Sequence, residues 1–217
     1  MLFPPQRPFV RFCLVRHGET DWNAERRIQG QLDIALNAHG DRQAHATAAQ
    51  LAHHRFAAIY ASDLVRAHST AAAVAHRLAL PVLRERGLRE RHYGAWQGRT
   101  YAEIAHAMPD DYARFERRDP QHELPGGGES LTHFQQRVAA CLGRLAQGHA
   151  GEQILVVTHG GVLDIAYRLA MGRALDAARD FEIPNAALNW LEHGPKGWRL
   201  LAWAQKAHLA AARDELP

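Results

Sequence analysis

Lysine is almost missing from this chain: of 26 basic residues, only Lys196 and Lys206 are lysines. The arginines that take its place are scattered, in pairs such as Arg26-Arg27 and Arg117-Arg118, and form no basic stripe, so a nucleic-acid partner is not expected. Charge of one sign is also lacking. Against the basic residues stand 23 acidic ones, a net +3, and the pI of 9.1 overstates how basic the molecule is. A GC-rich genome accounts for most of the arginine bias, although arginine also suits bidentate phosphate recognition. Cysteine is scarce: Cys13 and Cys141 make no CxxC, which excludes a disulfide scaffold and points to buried thiols in a reducing cytoplasm. Long apolar runs are missing too. The strongest, Ile154-Leu155-Val156-Val157, is far short of the roughly 20 residues that cross a bilayer, so no membrane association is expected. Residues 1–8 hold three prolines and lack the tripartite pattern of a secretory signal. With 217 residues, 47% hydrophobic and 23% charged, the chain can bury a substantial core and is not disordered. It shows no internal repeat and no linker, and a single domain over 1–217 is expected.

What is present is an alternation of strands and helices. Residues 9–15 form a β-rich apolar run that stops at Arg16-His17-Gly18. A helical pattern over 41–53, a short strand over 57–61, and a helix capped by Ser62 or Asp63 and running to about 80 follow. After a strand near 81–83, the stretch 88–125 is less regular, with short helices at 101–108 and 110–117, and reads as an inserted lid. Pro125-Gly126-Gly127-Gly128 is a loop, and Ser130 offers an N-cap to a helix with Phe134, Val138, Cys141, Leu142 and Leu145 on its apolar side. Residues 153–158 make the best buried strand and 161–169 a helix, and 187–191 and 198–203 are strands joined by a hairpin-like turn at 193–197. The order predicts an α/β fold, three layers α/β/α around a mostly parallel central sheet.

Two of these strands end in similar signals, Arg16-His17-Gly18 and Thr158-His159-Gly160. In a parallel sheet both ends open onto one crevice, which brings two imidazoles and an arginine together. Arg66, in the first turn of a helix that follows a strand, adds a second guanidinium where helix N–H groups also favour anions. Together they suit a phosphate pocket, with one histidine left free as a nucleophile. The other histidines, among the 15 in the chain, carry no such signal.

Leu14-Val15-Arg16-His17-Gly18-Glu19-Thr20 followed by Trp22-Asn23 resembles the signature of the histidine phosphatase superfamily, in its phosphoglycerate mutase-like branch. The resemblance continues in chain order. Gln29-Gly30 and Leu32-Asp33-Ile34-Ala35-Leu36-Asn37 look like the loop that follows, Ser62-Asp63-Leu64-Val65-Arg66-Ala67 like the second arginine motif, and Leu88-Arg89-Glu90 with Tyr93-Gly94 like the acid segment. Pro125 to Ser130 resembles the glycine loop, and Val156-Val157-Thr158-His159-Gly160-Gly161 the second histidine motif. Ser69 departs from the glutamine usual after the second arginine, and the glycine loop has one glycine more. The resemblance implies a phosphohistidine mechanism. His17 would attack phosphorus; Arg16, Arg66 and His159 would hold the phosphoryl oxygens; Glu90 would be the proton donor. Thr20, Asn23, Gln29, Gly30, Tyr93 and Gly160 would contact phosphate or substrate; Arg91, His92 and Trp96 are pocket or core. Glu129 and Ser130 set the loop and the helix cap. Without the resemblance, Glu90 reads as an ion-pair partner of Arg89 or Arg91.

No cofactor and no metal are expected, since the arginines supply the positive charge. The substrate expected is a small phosphorylated metabolite. The short form of the chain resembles phosphatases, so phosphomonoester hydrolysis is favoured over the alternative, a bisphosphoglycerate-dependent phosphoglycerate mutase, whose extra phosphate-binding arginines have no counterpart beyond Arg117 and Arg118. A non-catalytic phospholigand-binding protein is the third reading. A homodimer is common in the family that the chain resembles.

Overall fold

A computed structural model describes residues 9–210; the leader reading at 1–8 and the last seven residues lie outside the described residues. The elements run β1 (Val10–Arg16), α1 (Asp21–Ala24), α2 (Ala38–Leu51), β2 (Ala58–Ala61), α3 (Val65–Leu78), β3 (Val82–Arg84), α4 (Tyr101–Ala107), α5 (Pro109–Glu116), α6 (Leu131–Gly148), β4 (Gln153–Thr158), α7 (Gly160–Met171), β5 (Leu188–Gly194) and β6 (Gly197–Gln205), with 3-10 turns at Arg86–Leu88, Gly94–Trp96 and Ala207–Leu209. The described strands form one sheet in the order β3-β2-β4-β1-β5-β6. The first four of that order are parallel, and β5 and β6 add an antiparallel edge.

Period-two alternation divides the buried strands between two layers of helix. Phe12 and Leu14 of β1, with Ile154 and Val156 of β4, pack with Phe134, Val138, Cys141 and Leu142 of α6 and with Val162, Leu163 and Ile165 of α7. Cys13, Val15, Leu155 and Val157 face the other way, onto Ala48 and Leu51 of α2 and Ala67, Ala71 and Val74 of α3. Each buried Val, Leu or Ile side chain contributes about 1.5–3 kcal/mol relative to exposure. A third cluster, Ile28, Trp96, Ile104 and Leu124, packs with Tyr93, Met108, Tyr112 and Phe115 beneath α4 and α5. Both cysteines are free and buried, one in each main cluster, and burial pushes the Cys141 thiol up to about 12.

Two helix starts differ from expectation. α2 begins three residues early because Asn37 is its N-cap, its side chain accepting from Gly40 N–H at 2.8 Å. α3 is capped by neither Ser62 nor Asp63: Leu64 holds the N-cap position, and the side chain of Asp33 reaches in to accept from Val65 N–H at 2.6 Å. Asp63 is taken instead by a two-pronged pair with Arg89, at 2.7 and 2.6 Å. α1, a single turn held by a capping box between Thr20 and Asn23, is too short to show a period in the sequence.

Candidate active site

Strands β1 and β4 are neighbours, and their register pairs Arg16 with Thr158. They therefore end level, His17 N–H donates to the Thr158 carbonyl at 2.9 Å, and the His17 and His159 rings lie 5.2 Å apart at 60°. Nδ1 of His17 is 2.7 Å from its neighbour's carbonyl, Gly18 O. A carbonyl only accepts, so Nδ1 carries the proton and Nε2 keeps its lone pair. Gly18 is itself held, its N–H donating to Thr70 Oγ1 at 3.0 Å, so Ser69 costs the site nothing: the residue beside it anchors the loop. Burial first, then the charges of Arg66 and Arg16, press the His17 pKa well below 6.5, and the ring is neutral at pH 7. His159 is the N-cap residue of α7, fully buried, with neither ring nitrogen partnered. Burial, Arg66 and His17 lower its pKa likewise.

Both arginines are tethered to carbonyl oxygens. Arg66 donates from Nη1 to Leu32 O at 2.8 Å and from Nη2 to Gly30 O at 2.7 Å; Arg16 donates from Nη1 to Ile183 O at 2.7 Å. The Nε of each is buried without a partner, and among the described residues neither makes an ion pair. Burial brings the Arg66 pKa down to about 10, which still leaves it charged. Gly30 sits at φ +54°, a conformation that favours glycine, and a Cβ there would displace the Gln97 side chain.

Glu90 is not in an ion pair with Arg89 or Arg91, since Arg89 goes to Asp63 and Arg91 donates to the Glu129 carbonyl at 2.8 and 2.7 Å. Its carboxylate instead accepts from two backbone groups, Arg91 N–H at 2.8 Å and Gly161 N–H at 3.0 Å, the latter in the first turn of α7. A Cβ on Gly161 would collide with that carboxylate. The segment before Glu90 is clamped from α6 by Arg137, which donates to the carbonyls of Gly87, Arg89 and Glu90 and to both oxygens of Glu129. Glu129 also accepts from His92 N–H, and Ser130 caps α6 through His133 N–H, as the sequence indicated.

A small cavity of about 110 Å³ is lined by Arg16, His17, Asn23, Gln29, Gly30, Arg66, Glu90 and Tyr93, together with Arg27, Ile28 and Tyr101. It shares Arg16, Glu90, Tyr93 and Tyr101 with a larger one of about 1100 Å³, on whose wall Gly160 lies. Gln29 Oε1 is buried and unpartnered among the described residues, and rotating the amide puts a donor in its place. Thr20 lines neither cavity: it is fully buried and spends its side chain on the cap of α1. Trp96 is core, His92 is turned into the 92–94 backbone, and Arg91 and Tyr93 reach the larger cavity, with the guanidinium 5.6 Å from the Tyr93 ring. Arg117 is exposed and Arg118 turns inward. Asn185 was missed. Its Nδ2 donates to His17 O at 2.9 Å and to Asn23 Oδ1 at 3.3 Å, so it steadies two site residues. Only Pro184-Asn185 as a turn signal marked it in the sequence.

Among the described residues no group of three or more His, Cys, Asp or Glu side chains is placed to hold a metal ion, and no helix is long and apolar enough to cross a membrane. Residues 12–206 match the model of the histidine phosphatase superfamily (branch 1). The chain is 42% identical over 206 residues to phosphoglycerate mutase-like protein 4 of Arabidopsis thaliana, covering 93% of this chain and 87% of the relative. It is 40% identical over 204 residues to the metal-independent phosphoserine phosphatase of the same plant, covering 93% and 84%. The solved structure of Bacillus stearothermophilus YhfR superposes with a TM-score of 0.86 at 30% identity, over 92% of this chain and 99% of that one. With the His17 imidazole, two carbonyl-tethered arginines and a backbone-held carboxylate around one small pocket, and the His159 ring 5.2 Å from that of His17, the chain is an enzyme of the histidine phosphatase superfamily, branch 1.

Proposed function

We propose that the chain hydrolyses small phosphomonoesters without a metal ion, through a phosphohistidine at His17. The observation that carries this is the tautomer: with Nδ1–H given to Gly18 O, the Nε2 lone pair belongs to a neutral, buried imidazole in a pocket of two arginines. In the first step Nε2 attacks phosphorus, the P–O bond to the alcohol breaks, and Glu90 gives its proton to the departing oxygen. In the second, Glu90 takes a proton from water, the hydroxide attacks phosphorus, and the P–N bond breaks to release inorganic phosphate. Arg16 and Arg66 offer their unpartnered Nε–H groups and His159 its unpartnered ring to the equatorial oxygens. Donors fixed beforehand need no reorganisation as charge spreads over those oxygens, and each is worth about 2.7–4 kcal/mol.

The alcohol leaves toward the larger cavity, whose wall of Tyr101, Tyr112, Phe115 and charged side chains suits a small polar metabolite. The kinship with a metal-independent phosphoserine phosphatase supports that substrate class. The two free, buried thiols suit a cytoplasmic setting. The test is phosphate release from a panel of phosphomonoesters with a chelator present. Wild-type protein is expected to release phosphate steadily and to carry acid-labile, base-stable phosphate when quenched. His17→Ala is expected to lose on the order of 10⁴–10⁶ in kcat and all of the phosphoprotein. Isomerisation of 3-phosphoglycerate with bisphosphoglycerate, and no release, would overturn the reading in favour of a mutase.

A further inference from the structure

The mechanism leaves a buried carboxylate of the larger cavity unused. Asp164, on α7, is only 6% exposed, yet it lies on the cavity wall. Its Oδ2 accepts from Arg118 Nη2 at 2.7 Å and from Arg168 Nε at 3.0 Å. The two arginines fix the group in direction; Arg118 reaches it from a left-handed backbone (φ 54°) just past the end of α5. Oδ1 is buried and has no partner among the described residues. A buried carboxylate oxygen is an acceptor only, and leaving it unmatched is costly, so a donor brought by a ligand would stabilise it.

Its position says which part of a ligand. Asp164 stands three and four residues beyond Gly161 and Gly160, hence on the same face of α7, one turn along. Gly161 N–H holds Glu90, the group that protonates the leaving oxygen, and Gly160 shares the cavity wall with both. One helical turn is about 5.4 Å, a span that a donor about three bonds beyond the ester oxygen can bridge.

We propose that Asp164 is a specificity-determining residue that reads a hydrogen-bond donor, an ammonium or a hydroxyl, on the carbon next to the ester-bearing carbon of the leaving alcohol. This role rests on the hydrolase reading above. Substrates with such a donor complete Oδ1 and gain that hydrogen bond; those without it leave the buried acceptor unmatched and bind their transition state less tightly.

The experiment compares kcat/KM for O-phosphoserine, 3-phosphoglycerate and 3-phosphonooxypropanoate, which keeps the carbon chain and carboxylate but has no donor at that carbon, with p-nitrophenyl phosphate as the check on hydrolysis itself. Wild-type enzyme is expected to favour a donor-bearing ester over the propanoate by about 100-fold or more. Preference for phosphoserine assigns an ammonium, and preference for phosphoglycerate a hydroxyl. In Asp164→Asn that ratio is expected to collapse at least about tenfold. A wild-type ratio within about threefold overturns the role of Asp164, as does a variant that slows all three esters by one common factor. The wild-type ratio decides even where the variant, with Arg118 and Arg168 left without their carboxylate, does not fold. No release from any ester, p-nitrophenyl phosphate included, sinks the hydrolase reading, whereas release with no donor preference sinks only the role given to Asp164.

Discussion

In the small pocket Arg66 is tied to Leu32 O and Gly30 O, Arg16 to Ile183 O and Glu90 to two N–H groups, while Arg27 pairs with the carboxylates of Glu25 and Glu103. On the wall of the larger cavity Asp164 pairs with Arg118, Asp119 with Arg114 and Asp180 with Arg173, while Arg91 is tied to the Glu129 carbonyl. A carbonyl oxygen orients a guanidinium and leaves its net charge intact, whereas a carboxylate cancels it. In the function proposed above, the inner region directs two guanidinium charges at one small anion, as transfer of a phosphoryl group requires, and the outer region offers shape and single polar contacts to a more varied leaving group. On that proposal, chemistry belongs to the first and selection to the second.

The sharpest way to break this contrast is at Arg66. Arg66→Ala is expected to lower kcat/KM by about 10²–10³ for every ester by the same factor, because the phosphoryl group is common to all. Arg66→Lys is expected to restore little, since one ammonium cannot span the Leu32 and Gly30 carbonyls and still meet a phosphoryl oxygen. A loss that varies strongly among esters would erase the division between inner and outer regions.

A smaller effect is expected in the pH dependence. His17 and His159 have folded pKa values well below the 6.5 of the free side chain, so the unfolded chain binds their protons first as pH falls. Their contribution to stability is complete above pH 6.5 and declines below it, by at most about 1.4 kcal/mol per pH unit for each histidine. Denaturant melts between pH 7 and 5 measure it. The acid limb of kcat/KM should likewise lie below 6.5 in wild type and move upward in Arg66→Ala, which removes a charge acting on both rings. An acid limb above 6.5 would mean that the pocket charge is compensated after all. The smallest expected effect is at Tyr112, which lines only the outer cavity. Tyr112→Ala should change kcat/KM by less than about tenfold and unequally across the ester panel, which steady-state comparison with Arg66→Ala resolves.

The inner region was also the legible one. Arg16-His17-Gly18 and Thr158-His159-Gly160 each end a run of period-two apolar residues, and such runs announce strands and their ends locally. Glu90 was legible only through family resemblance, because in the sequence it stands between two arginines and looks like their ion-pair partner; Asp63 and the Glu129 carbonyl, both distant along the chain, take those arginines away. Thr20 sits in a motif that points to substrate, yet its hydroxyl completes a helix cap. Asn185 meets His17 across 168 residues of chain, and no local pattern carries that contact.

From sequence alone followed the α/β order, the strands that deliver two histidines to one end of a sheet, and the residue types that could bind and transfer a phosphoryl group. Those depend on periodicity and side-chain chemistry, which are properties of short stretches. Only the tertiary structure decided the register that levels Arg16 with Thr158, the carbonyls that hold each guanidinium, and the acceptor of Asp164 that no described residue fills. Whether a polar atom finds its partner depends on which distant segments packing brings within about 3 Å, and that distance is set by the whole fold.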